Sequence, residues 1–220
     1  MDDVALGFAD AFPDWERSPL TVEIRNKKRH RRFFLAHRRS FFECDLDSQS
    51  PTSEFEFGLD GLEKVCNGLE VGELKRIGVR QWIAVDLEKP FALMVDELAA
   101  RFLNQNSDLD GILSDKPTDL AFVVDYETSE GWKYHLRLGP MTRNEWFQRV
   151  LYEQNLFEQP DEDNARTFEK YRETIPENLL LIDVDCYQED VSVSELKQGV
   201  TGFRRRSHDL ISRLIRYSQG

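Results

Sequence analysis

The chain has 220 residues, 40% apolar and 11% aromatic, enough to bury a core in one large domain or two small ones in close contact. Charged residues make up 32%, the net charge is −12, and no apolar run reaches the about 20 residues of a helical membrane span. A membrane partner is therefore not expected, and the acidic body disfavours general adhesion to polyanions.

The start, MDDVALGFADAF, places acids where a signal peptide carries a basic region, so the expected location is the cytoplasm. Residues 1–19 read as an N-terminal arm, acidic with Phe8, Phe12 and Trp15, ending at the Pro19 turn. Thr21–Lys28 and Arg32–Asp45 are rich in β-branched and aromatic residues and predict a hairpin. That hairpin carries the oddest stretch of the chain. Arg25, Lys27, Lys28, Arg29, Arg31, Arg32, Arg38 and Arg39 fall within residues 25–40 without a single acid, leaving 21 Lys and Arg against 41 acids elsewhere. The run reads as a positive knob for a protein partner, with phosphate contact and a plain solvated hairpin as alternatives. Of the paired rings Phe33, Phe34 and Phe41, Phe42, at least one of each pair must enter the core, because successive strand residues face opposite ways.

Phe55–Leu69 has Leu59, Leu62, Cys66 and Leu69 at helical spacing, with Gly68 and Gly72 as stop signals. ELKRIGVRQWIAVDLE predicts one long half-buried strand, and a helix follows from Pro90 with the stripe Phe91, Met94, Val95, Leu98 and Phe102. The polar segment 105–118 is the expected connection between halves. Leu120–Thr128 and Trp132–Leu138 predict a hairpin, and Gly139-Pro140 a turn. Thr142 and Glu145 form a capping box opening a helix with Trp146, Phe147, Val150 and Leu151. Residues 161–173 read as a polar helical insertion. LLLIDVDCY is a strand, and Ser192 with Glu195 predicts a second capping box before a terminal helix bearing Val193, Leu196, Val200, Phe203, Leu210, Ile211 and Leu214.

The expected fold is α+β, with two pseudo-repeated ββαβα halves, residues 20–104 and 119–220, packed as one unit. No catalytic motif identifies an activity, and no catalytic residue is assigned. Cys44, Cys66 and Cys186 are widely spaced and suggest neither a disulfide framework nor a zinc site. His30, His37, His135 and His208 form no ligand or acid-base pair in sequence, and His135 reads as a packing or hydrogen-bonding residue. Three acid-x-acid pairs, Asp86 with Glu88, Asp125 with Glu127, and Asp183 with Asp185, are expected on the wet faces of half-buried strands. Should a divalent metal bind, Asp183 and Asp185 are the first candidates. No cofactor is expected.

RIGVRQWIAVDLEKPFALMVDEL and the segment from LLLIDVDCY to the last helix together resemble a sporadically distributed family of uncharacterised prokaryotic proteins. Its R-[IV]-G-[LV]-R strand is matched by Arg76, Gly78 and Arg80, and is followed by an aspartate-bearing strand and a long terminal helix. The resemblance implies a cytoplasmic accessory or regulatory subunit of a defence-type locus, and transfers no active site. The expected function is thus protein binding. A nucleic-acid-binding accessory factor and a metal-dependent hydrolase using the acid-x-acid strand ends are the alternatives.

Overall fold

In the computed structural model, the described residues are 14–17, 21–26, 31–36, 40–44, 51–103, 117–154 and 172–219. They form mixed helices and antiparallel sheets, an α+β fold. The chain divides into two compact units, Met1–Ile77 with Gln188–Gly202, and Gly78–Tyr187 with Phe203–Gly220.

The first unit holds a sheet of order β1-β2-β3-β4, with β1 Asp14–Arg17, β2 Thr21–Asn26, β3 Arg31–Ala36 and β4 Ser40–Cys44. Part of the expected N-terminal arm is therefore a strand. Register sets Ile24 opposite Phe33 and Phe33 opposite Phe42, so alternate residues share one face. On that face Val22, Ile24, Phe33 and Leu35 are buried with Val65 of helix α1, Pro51–Gly68, while Phe42, Phe57 and Leu62 pack around them. Phe34, on the other face, stacks on Phe41 with centroids 5.0 Å apart.

Helix α1 starts four residues before its expected first residue and ends at Gly68. The left-handed residue that terminates it is Glu70, φ 54°, not a glycine. Val71 N–H donates to Cys66 C=O at 2.9 Å, closing the wide loop typical of a helix C-cap.

The second sheet has order β5-β8-β7-β6, with β5 Glu73–Val85, β6 Phe122–Glu127, β7 Lys133–Thr142 and β8 Asn178–Ser192. The expected halves do not divide the sheets, since β5 is in the first half by sequence and joins the strands of the second. Helices α2 Phe91–Phe102, α3 Arg143–Gln154 and α4 Leu196–Gln219 follow, with a 3-10 turn at Val193–Glu195 before α4, and residues 172–174 are also helical. Strand β8 is buried at every position from Leu179 to Val184, which fits an interior strand covered on both faces and explains its unbroken LLLI run. Leu179 and Leu181 pack with Met141, Ile175, and Trp146 and Phe147 of α3, against Trp82 and Ala84 of β5.

Gly139-Pro140 is not a turn but lies inside β7, opposite Leu181 and Leu180. Two local facts permit this. β6 pairs with β7 only as far as Leu138, so Pro140 lacks a donor on a side where the ladder has ended. A Cβ at Gly139 would also come within 2.7 Å of Leu120 C=O, so the approach of that segment requires glycine.

The Thr142 box forms as expected, with Thr142 N–H donating to Glu145 Oε2 at 2.7 Å and Glu145 N–H to Thr142 Oγ1 at 3.3 Å. At the second site Ser192 Oγ accepts from Ser194 N–H at 3.3 Å, because the chain enters α4 through the tighter 3-10 turn. The expected connection 105–118 and the insertion 161–173 fall mostly outside the described residues.

In α1, a Cβ at Gly61 would collide with the Phe33 ring, which is fully buried. Alanine there should gain about 1 kcal/mol of helix propensity yet lose more to overpacking. Gly61→Ala is therefore expected to destabilise the protein by about 1–3 kcal/mol net in urea unfolding, whereas net stabilisation would contradict this packing.

Candidate functional site

The basic hairpin splits by alternation. Arg31 is on the face that meets α1, where its Nε and Nη2 donate to both Glu54 carboxylate oxygens and its guanidinium lies 4.6 Å from the Phe57 ring centre. Arg32 is buried on the other face, bonded to Glu43 at 2.5 Å and Glu23 at 3.3 Å, and lies 5.2 Å from the Phe41 ring centre. These two cations are thus tied to acids of the same unit. Arg25 lies opposite Arg32 in register. Lys27, Lys28, Arg29, Arg38 and Arg39 lie outside the described residues.

In the second unit, Asp183, expected on a wet strand face, instead has no exposed surface. Arg80 of β5 grips it through two bonds, Nε to Oδ1 at 3.0 Å and Nη2 to Oδ2 at 2.9 Å. Arg149 of α3 adds a third, Nη2 to Oδ2 at 2.8 Å. Both guanidiniums also lie near the Trp82 ring, 4.8 and 5.9 Å from its centre. Three charge-assisted bonds offset the desolvation of the buried carboxylate. The fork-shaped contact is one that a lysine could not make. In the RIGVR stretch, Gly78 provides close approach, since a Cβ there would come within 2.8 Å of Cys186 C=O, and Arg80 supplies the grip on the aspartate-bearing strand.

This arrangement commits both oxygens of Asp183 to arginine. Asp185, two residues along the same face, lies opposite His135. Among the described residues, no group of three or more His, Cys, Asp or Glu side chains is placed to hold a metal ion. Asp86 and Glu88 lie past the end of β5, where Asp86 Oδ1 accepts from Glu88 N–H at 2.8 Å in a turn that holds Glu88 at φ 53°. Cys186 is buried, and burial pushes its thiol up to about 11, so little of it is thiolate at neutral pH.

A different feature stands out at the other side of this sheet. β6 is its outermost strand, and among the described residues only β7 pairs with it. Thr128 N–H donates to Trp132 C=O at 2.8 Å, and Gly131, φ 79°, closes the hairpin. Continuing the alternation of an antiparallel ladder from that bond, Val123, Asp125 and Glu127 turn their backbone N–H and C=O groups outward. Val123 is 54% exposed, Val124 48% and Tyr126 38%. The side chains of Phe122, Val124 and Tyr126 share one face. Phe122 meets Phe102 of α2 at 4.3 Å, Phe102 meets Tyr217 of α4 at 5.5 Å, and Tyr126 stacks on Tyr134 at 4.7 Å. Asp125 and Glu127 occupy the other face, and Asp125 is hydrogen-bonded to His135 Nδ1 at 2.7 Å.

Asp125 and Glu127 are on a wet strand face as expected, but the edge position of their strand is not visible in its own residues. The signal is in FVVDYE, where apolar residues occupy both faces of a strand that also carries acids. A strand covered on one side only has no need of Val123 and Val124 together.

Replacing Asp183 with alanine would leave Arg80 and Arg149 facing each other across a site buried for a carboxylate. Asp183→Ala is expected to cost about 3–5 kcal/mol in urea unfolding, and a loss below about 1 kcal/mol would show that the grip is not structural.

No protein-family model matches the chain, and no curated protein or solved structure matches it.

Proposed function

We propose that the chain is a non-catalytic accessory subunit that binds a protein partner by accepting a strand at the β6 edge. The observation that carries this reading is the edge itself, which among the described residues is paired only by β7 and has outward backbone groups flanked by exposed Val123, Val124 and Tyr126. Such an edge is a template for pairing, and an added strand satisfies its donors and acceptors while covering the apolar side chains. The aromatic group of Phe102, Phe122 and Tyr217 extends the apolar surface beside it.

The ion pairs of the basic hairpin favour a protein over nucleic acid as partner. Arg31 and Arg32 answer Glu54, Glu23 and Glu43, so they add less to a phosphate-binding field than the run of cations implies. Among the described residues no helix is long and apolar enough to cross a membrane. In keeping with the RIGVR resemblance, the reading places the subunit in a prokaryotic accessory or defence-type locus.

Proline at position 123 removes an outward N–H while sparing the bonds to β7, a substitution that edge strands tolerate. Affinity capture of the tagged chain from its own cells, after nuclease treatment, should recover a stoichiometric protein partner. Val123→Pro should reduce that recovery at least about tenfold while the circular dichroism spectrum is retained. Equal recovery by the variant would overturn the β6 site, and recovery of nucleic acid in place of protein would overturn the choice of partner.

A further inference from the structure

The face of the second sheet that carries Asp183 changes sign from strand to strand. β5 contributes Arg80, and β8 contributes Asp183 and Asp185. β7 contributes Lys133, His135 and Arg137, and β6 contributes Asp125 and Glu127. The register sets these groups side by side: His135 lies between Asp185 and Asp125, Arg137 between Asp183 and Val123, and Lys133 between Tyr187 and Glu127. Arg80 contacts Asp183 directly, and Asp125 is hydrogen-bonded to His135, whose ring carries charge only when protonated. Opposite charges on neighbouring strands stabilise pairing and like charges oppose it, so the series selects what can follow β6.

From this alternation we infer that the partner segment is an extended strand in which Lys or Arg alternates with apolar residues. Its basic side chains stand beside Asp125 and Glu127, and its apolar side chains stand beside Val124 and Tyr126. The pattern has a period of two, so it serves a parallel or an antiparallel addition equally. The acids of β6 then have two effects. They admit a basic strand, and they repel acidic strands, including other acidic segments of a chain whose net charge is −12.

This inference rests on the β6 reading above, and one titration separates the two. Three synthetic peptides of about eight residues, the length of a typical strand, are compared by fluorescence anisotropy at 0.15 M salt. The first alternates valine with lysine, the second alternates valine with glutamate, and the third has the first one's composition in two blocks. Amide hydrogen exchange over residues 122–127 locates the binding. The alternating lysine peptide should bind at least about tenfold more tightly than the other two and slow exchange in β6. Asp125→Lys combined with Glu127→Lys, both at exposed positions, should reverse the preference towards the glutamate peptide. If the glutamate peptide protects β6 of the unmodified chain as well as the lysine peptide does, the edge reading stands and the charge inference falls. Equal binding of the blocked peptide, or an unchanged preference in the double variant, also overturns the inference by showing attraction without strand register. If no peptide protects β6, both fall.

Discussion

A single buried carboxylate organises the second sheet. Asp183 sits in the buried run Leu179–Val184 of β8, whose other residues are apolar, and a charge there would be prohibitively costly without Arg80 and Arg149. Meeting that demand fixes three elements at once, because the two arginines come from β5 and α3 while the acid comes from β8. Hydrophobic contacts among Leu179, Leu181, Trp146 and Trp82 supply the burial, but they are tolerant of direction. The three hydrogen bonds are not, so they specify which residues of β5 and α3 approach Asp183. Asp183 also shares a sheet face with Asp185, with Lys133, His135 and Arg137 of β7, and with Asp125 and Glu127 of β6.

The first unit shows the same economy in its use of charge. The most basic stretch of an acidic chain reads as an interaction surface, yet Arg31 and Arg32 are each held by glutamates and stacked near phenylalanine rings. Arginine suits this role because its flat cation packs on an aromatic face while its edge bonds a carboxylate. In the second unit, by contrast, the acids of β6 face an edge at which the described sheet ends.

What was legible in the sequence was mostly local. The long strand from Glu73, the helix after Pro90 and the Thr142 box follow from periodicity, ring geometry and short-range capping, and each was readable from its own residues. The phenylalanine pairs likewise split between faces as strand alternation requires. Long-range choices were not legible. Nothing in β5 says that it joins β8, because a strand's sequence records its burial and not its neighbour. Gly139-Pro140 has the composition of a turn and became strand only because β6 stops short of it. Asp183 was singled out as one of two metal candidates, but its arginine partners lie 103 and 34 residues away in sequence. For the same reason the β6 edge could be recognised only once the strand order was known.

The central claim is that β6 ends its sheet with an accessible, usable edge, and residue-resolved amide hydrogen exchange of the free chain and of its captured complex tests it most directly. In the free chain the amides of Val123, Asp125 and Glu127 should exchange fast while those of Val124 and Tyr126, bonded to β7, are protected; in the complex all five should be slow. Uniform protection of 122–127 in the free chain, or the same alternation surviving unchanged in the complex, would contradict the account.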